Sequence, residues 1–276
     1  MHKCFSCGTI QREDPIGYYN VVKTQYRGDY FGTRYSKRYG ISLDDDFENL
    51  KKVSERRMDT IENLYLRLGE CNRCVAEVCN ACYVRNFVFS LRNRSLLDVG
   101  CGVGVFVETA LRRGYDAKGI DINREILHLV GESVVDRVII GDFSEFETDK
   151  KFDVITMWYT LEHLPAPEEA IKKVWNMLKY GGVFAISTPN CDGASAKFKT
   201  SWYYSILPED HIFEFSPNSL RILLSRNGFS VVKVINTGFH PERVTNIPVL
   251  RELFGIYQKL FDIGDTFEIY STKRFR

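Results

Sequence analysis

Chemistry first shows in the stretch Asp98-Val99-Gly100-Cys101-Gly102-Val103-Gly104, where an acid is followed by glycines alternating with small residues. Glycines let a backbone approach a ligand that larger residues would hold off. The spacing is not the G-x-G-x-x-G of a dinucleotide site, and no Gly-Lys-Ser/Thr end is present to cradle phosphates. The turn therefore suits a nucleotide-like ligand without a bulky phosphate. Asp121 stands twenty-one residues beyond Gly100 and can accept both hydroxyls of a ribose. The plainer role for Asp121 is to cap a helix opening at Ile122-Asn123. Next comes Gly141-Asp142-Phe143, in which a carboxylate could accept from a purine's exocyclic amine while the ring stacks, unless it is an ordinary turn.

Eight cysteines add a second kind of chemistry, since six fall in Cys-x-x-Cys pairs: Cys4/Cys7, Cys71/Cys74 and Cys79/Cys82. In a reducing compartment such spacing suggests metal ligation rather than disulfides. A structural zinc needs four ligands. The pair Cys4/Cys7 could be completed by either later pair, or the two later pairs could enclose one metal in a tight loop. Six thiols are too many for one zinc and too few for two unbridged ones, so the ligand set stays open, as do free thiols and an iron–sulfur cluster.

The elements that must hold these residues follow from periodicity. From Asp45 to Leu68, apolar residues recur at three- and four-residue steps, which predicts a helix stopped by Gly69. The Asp44-Asp45-Asp46 run suits the positive end of its dipole. From about residue 94, strands and helices alternate: strand 95–100, helix 104–113, strand 116–122, helix 123–131, strand 135–142, strand 152–159, helix 167–179, strand 183–188, helix 216–227, strand 229–236, helix 244–261 and strand 266–272. That alternation predicts a doubly wound α/β domain, mostly parallel. In such sheets ligands sit at the carboxyl ends of the strands, which is where the acids and glycines above fall. A connection of about 25 residues after strand 183–188 is long enough to be functional. Residues 1–44 are rich in tyrosine without clear periodicity, either a surface-wrapping segment or a lid over a ligand. The expected division is residues 1–93, a cysteine-containing lid and helical segment, and residues 94–276, the ligand-binding domain.

Hydrophobic residues at 44% and charged residues at 26% are those of an ordinary globular chain. A net charge of +1 supplies no field to gather nucleic acid or an anionic membrane. Met1-His2-Lys3-Cys4 leads into no apolar run, and no stretch approaches a membrane span. The expectation is a cytoplasmic protein without nucleic-acid partners or membrane insertion, its oligomeric state open.

In order, "LLDVGCGVG", the acid of "GIDIN", the "GDF" turn, "FDVITMWYTLEHLPAP" and "LKYGGVFAISTPN" resemble the class I S-adenosylmethionine-dependent methyltransferases over roughly residues 94–272. The resemblance implies the seven-stranded Rossmann-like sheet of that family. It implies that Asp98, Gly100, Cys101 and Gly102 line the cofactor and that Asp121 and Ile122 lie at its ribose. Asp142 and Phe143 would bind adenine, and Met157, Trp158 and Tyr159 would line the sulfonium side, with Cys101 a small turn residue and not a nucleophile.

"EHLPAP" and "ISTPN" are similar to the branch holding ubiquinone-pathway O-methyltransferases and bacterial sugar and polysaccharide-cluster methyltransferases. In the latter a His-containing loop after the fifth strand faces the acceptor, which makes His211 the candidate general base; an imidazole pKa near 6.5 suits taking a hydroxyl proton. His211 could equally just order its loop. Some relatives bind a divalent cation near the equivalent of Glu162-His163. Here Tyr159 replaces a useful carboxylate, and adjacent residues on a helical turn point apart, which argues against such a site. The N-terminal Cys4-x-x-Cys7-Gly8 looks like the second knuckle of a zinc ribbon. Together these features predict methyl transfer from S-adenosyl-L-methionine to a small-molecule acceptor, a hydroxyl of a sugar or glycan precursor, with zinc as a second bound species. The alternative is a zinc-stabilised binding or regulatory protein that keeps the cofactor pocket without transferring methyl.

Overall fold

A computed structural model describes residues 2–26, 35–69 and 93–273; the expected metal ligands Cys71, Cys74, Cys79 and Cys82 lie outside the described residues. The chain opens with a hairpin of β1 (His2–Lys3) and β2 (Ile10–Gln11), then α1 (Pro15–Tyr26), α2 (Tyr35–Tyr39) and α3 (Leu43–Gly69). The alternating region runs β3 (Ser95–Val99), α4 (Val105–Arg112), β4 (Asp116–Asp121), α5 (Glu132–Val135), β5 (Val138–Ile140), β6 (Phe152–Trp158), α6 (Pro167–Met177) and β7 (Leu178–Pro189). It ends with α7 (Ala194–Phe198), α8 (Thr200–Ser205), β8 (Phe213–Glu214), α9 (Pro217–Arg226), β9 (Phe229–Thr237), α10 (Pro248–Leu260) and β10 (Thr266–Lys273).

Seven strands form one sheet in the order β5-β4-β3-β6-β7-β10-β9. Only β10 runs against its neighbours, pairing antiparallel with both β7 and β9. The central strands β3, β6 and β7 are largely buried because helices cover both faces. Successive residues serve opposite sides: Leu97, Ile155 and Phe184 join one core cluster, and Leu96, Val154 and Val183 the other. The N-terminal helices contribute to these same cores. Tyr19 and Val22 of α1 enter the first cluster, while Met58, Ile61, Leu64 and Tyr65 of α3 enter the second. A row of acids on α3 meets α4, where Arg113 bonds Glu55, Asp59 and Glu62.

The expected α/β architecture is present, with local departures. Residues 123–131 hold a 3₁₀ turn, Arg124–His128, capped by the Asn123 side chain accepting the Glu125 N–H at 2.9 Å; the cap is Asn123, not Asp121. Residues 135–142 give only the three-residue β5 after the short α5. The helix expected to reach 179 ends at Met177 because Leu178 is already extended, and the strand continues through the glycine pair. The long connection after β7 contains α7, α8 and β8. Its β8 pairs with β2, so the N-terminal hairpin is a second, three-stranded sheet, β1-β2-β8.

Candidate cofactor and acceptor site

At the end of β3 the backbone turns through Gly100, Gly102 and Gly104, with φ of 73°, 51° and 78°. Left-handed backbone favours glycine at each position. At Gly100 space forbids a substituent as well, since a Cβ there would lie 2.2 Å from the Thr160 hydroxyl. That hydroxyl donates to the Val99 carbonyl at 2.9 Å, locking the loop after β6 against the turn. Asp121, at the end of β4, accepts the Gly102 N–H and the Asn123 N–H, both at 2.8 Å. A carboxylate offers about four acceptor positions, so this tie draws the acid onto the glycine turn with capacity for a diol. Burial raises its pKa.

Asp98 lies beneath the turn rather than on its surface. It is 1% exposed and accepts the Thr156 hydroxyl at 2.6 Å. Burial, with only that bond and the Arg57 charge opposing, pushes its pKa up to about 7. Cys101 is buried and its thiol pKa raised by burial, as befits a turn residue. Met157 is fully buried in the core, and Trp158 packs edge-on against Phe106 with the Arg57 guanidinium 4.1 Å over its ring. Neither lines an open surface, because β6 is central and covered on both faces. Of the three expected at the sulfonium side, Tyr159 alone is exposed; it sits in left-handed backbone, φ 54°, just past the strand end. Ile122 is half-buried beside Asp121.

The third strand end is engaged by α1. Asp142 Oδ1 accepts from the Tyr19 hydroxyl at 2.9 Å and from the Ser144 N–H and hydroxyl, and the Lys23 ammonium contacts Oδ2. Burial pushes the Asp142 pKa up, but Lys23, Ser144 and Tyr19 outweigh it and hold the carboxyl below its ordinary value. Phe143 is buried in the core, with the Lys173 ammonium 5.5 Å from its ring.

On the other side of the loop after β6, Glu162 accepts the Ile212 N–H through its carbonyl at 2.9 Å, which brings His211 to the strand ends. Glu162, His163 and His211 place one ligand-type atom each within 4.8 Å of one another. The expectation that Glu162 and His163 point apart is thus corrected: a 3₁₀ turn over Leu161–His163 lets both reach one cluster, and a residue 48 positions past His163 completes it. His163 and His211 meet edge to face at 5.0 Å. His163 Nδ1 bonds the Asp210 carbonyl at 2.7 Å, and His211 Nδ1 bonds Glu214 Oε1 at 2.8 Å. Glu214 in turn accepts the Tyr203 hydroxyl at 2.9 Å. Arg12, just after the strand that pairs with β8, donates to the carbonyls of His211 and Pro208 at 2.6 and 3.2 Å.

Glu214 and Tyr203 were not visible as functional residues in the sequence. Glu214 follows His211 by three, an odd interval that puts two residues of a strand on opposite faces; only the turn before β8 brings them together. Arg57 and Glu268 also escaped notice. Glu268 on β10 bonds Arg56 at 2.7 and 2.8 Å and Arg57 at 2.8 Å. Burial raises the Glu268 pKa, but Arg56 and Arg57 prevail and hold it at about 2.

A glycine turn at β3, with an acid from β4 tied to it, on a sheet whose sixth strand in spatial order runs backwards, is the arrangement of class I S-adenosylmethionine-dependent methyltransferases. The chain belongs to the methyltransferase domain family, whose pattern matches residues 75–234. It is 30% identical over 165 residues to a ubiquinone biosynthesis O-methyltransferase of Pseudomonas fluorescens, covering 55% of this chain and 71% of that one. With a namesake from Nitrosomonas europaea the identity is 30% over 142 residues, covering 49% and 58%. Among solved structures, magnesium protoporphyrin IX methyltransferase from Synechocystis, with bound SAH, superposes with a TM-score of 0.56 at 14% identity, covering 91% of this chain and 99% of that one. That likeness concerns the fold. The enzyme is thus a methyltransferase that uses S-adenosylmethionine, and the reading as a cofactor-binding protein without methyl transfer gives way to it.

Proposed function

We propose that the enzyme methylates a hydroxyl oxygen of a small-molecule acceptor, a sugar or glycan precursor, with His211 as general base. The observation that carries this reading is the His211–Glu214–Tyr203 chain of hydrogen bonds beside the strand ends. A neutral His211 that donates from Nδ1 to the Glu214 carboxylate keeps its lone pair on Nε2, the tautomer a base needs. Methyl transfer to oxygen agrees with the naming of the relatives as O-methyltransferases. The sulfonium is already a good leaving group, so most of the rate comes from holding donor and acceptor in line. Gly100, Gly102 and Asp121 would hold the cofactor. Asp142 serves its adenine end while also docking α1.

In this reading α1 is the lid. Tyr19 and Lys23 fasten it at Asp142, and Arg12, just before it, fastens the acceptor side at His211 and Pro208. Opening this one segment would expose both ends of the site. Turnover of S-adenosylmethionine with a panel of nucleotide-sugars, and with phenols as the contrasting class, tests the acceptor; transfer to phenols alone overturns the sugar assignment.

A second reading rests on the three-residue cluster. Two imidazoles and a carboxylate form a donor set suited to a divalent transition metal. Each histidine's Nδ1 is held by a protein acceptor, as is usual for ligating histidines. Glu162, His163 and His211 would hold the ion, which when bound would lower the acceptor hydroxyl's pKa as a Lewis acid. Activity that chelation removes and metal restores favours this reading; activity indifferent to chelators favours the base.

The Cys4–Cys7 hairpin supports zinc as a second bound species. Cys4 takes part in a tight turn, its carbonyl accepting the Gly8 N–H at 2.9 Å, with Gly8 at φ 80°. Backbone N–H groups of Cys7 and Ser6 lower the Cys4 pKa and favour the thiolate a metal requires. Two further thiolates, from Cys71/Cys74 or Cys79/Cys82, would complete a tetrahedral site. Metal analysis of purified protein should give about one zinc per chain, and less than half that in Cys4→Ser/Cys7→Ser.

A further inference from the structure

The helix α10 is packed inside out. Its inward side carries Gly255, set against Pro241, and Gln258, which is fully buried with neither amide atom bonded among the described residues. Its apolar stripe faces outward instead. Val249, Leu253, Ile256 and Leu260 are 68%, 58%, 63% and 75% exposed. They recur at intervals of four, three and four residues, and so line one side of the helix. An amphipathic helix in a globular protein normally turns this stripe to the core.

The patch continues across a second element. Phe198 of α7 stacks edge-on against Phe254 and Tyr257 at 5.1 and 6.2 Å, and Trp202 and Ile206 beyond it are exposed as well. Such a contiguous apolar surface marks a binding face. Its position is informative too. α7 and α8 follow β7, and α10 follows β9; these strands run in the same direction, so the patch lies at the carboxyl end of the sheet, the end that carries the glycine turn.

We propose that α7, α8 and α10 dock the enzyme peripherally on an anionic lipid bilayer, with α10 lying in the interface. Charge selects this occupant. Lys197 and Lys199 flank the exposed Phe198, and α10 carries Arg251 and Lys259 against the single acid Glu252, although the whole chain is nearly neutral at +1. Cations beside an apolar stripe suit an interfacial helix on anionic lipid, and Trp202 and Tyr257 are residue types that settle at headgroup depth. Spanning is not involved, since no helix among the described residues is long and apolar enough to cross a membrane.

The test is co-sedimentation of the full chain with phosphatidylcholine vesicles, with and without phosphatidylglycerol, at low and high salt. Binding should require phosphatidylglycerol, weaken with salt, and shift Trp202 emission to the blue, a shift that Trp202→Phe removes. Leu253→Glu/Ile256→Glu should reduce binding at least about tenfold. Both side chains are more than half exposed, so cofactor affinity and thermal melting should stay as in the parent. The proposal fails if the parent chain remains in the supernatant with anionic vesicles at low salt. It fails also if the double variant sediments equally well. A parent dimer in analytical ultracentrifugation that the double variant breaks would instead assign the stripe to a second copy of this chain.

Discussion

The two halves of the site are built by different means. On the cofactor side, the functional atoms are largely backbone: three left-handed glycines and N–H groups, with Asp121 tied to Gly102. The proposed acceptor side would depend on side chains drawn from Arg12, Glu162, His163, Tyr203, His211 and Glu214, which converge only after the chain has folded. A backbone site is written in consecutive residues, whereas a side-chain site is written in contacts. The cofactor half should therefore respond to substitution through local geometry, and the acceptor half through loss of a partner.

The largest expected effect probes the acceptor half. His211→Ala should lower kcat by about 10²–10⁴-fold while leaving cofactor affinity unchanged, as read by calorimetric titration with S-adenosylhomocysteine. An unchanged kcat would remove His211 from the chemistry. Next, Arg57→Ala leaves the buried Glu268 with Arg56 alone, which should cost about 3 kcal/mol of stability, the low end for a broken buried pair because one arginine remains. Its acid dependence follows from sign: the Glu268 pKa is held at about 2, below its ordinary 4.5, so the pair's stabilisation is complete above 4.5 and is lost as pH falls toward 2. Gly100→Ala attacks the cofactor half through the φ of 73° and the Thr160 contact. About 1–3 kcal/mol of strain is expected, with weaker cofactor binding and intact far-ultraviolet dichroism.

The smallest effect separates two buried acids. Among the described residues no cation is bonded to Asp98, and burial raises its pKa from 3.8 to about 7. Between those values the folded chain keeps a proton that the unfolded chain has released, so stability falls as pH rises across this window, opposite to Glu268. Asp98→Asn should remove that slope, at most about 1.4 kcal/mol per pH unit, in urea midpoints taken at several pH values. An unaltered slope would show that Asp98 is ionised throughout.

Much of the fold was legible because the central strands β3 and β6 are largely apolar and glycines and acids mark several strand ends. Leu96-Leu97-Asp98-Val99-Gly100 fixes a strand, its end and a ligand turn together. The helix α1 was not legible, since Tyr19 and Val22 bury individual side chains without a repeating stripe. Strand β8 was hidden for a related reason: two residues carry no period, and its partner β2 lies some two hundred positions away. Met157 and Trp158 stand near a strand end by position, and their burial came only with the structure. The cluster of Glu162, His163 and His211 needed coordinates because adjacency on a turn argues the wrong way.

The pairing of β2 with β8, together with the Arg12–His211 bond across 199 positions, also bears on how the enzyme comes into being. Strand–helix units such as β3-α4-β4 close short loops and can assemble while the chain is still being made. The acceptor side closes one of the longest loops in the molecule, whose entropic cost must be met before its contacts form. Loop-closure cost alone predicts that in a nascent chain the glycine turn and Asp121 come together before β2 finds β8 and Arg12 reaches His211.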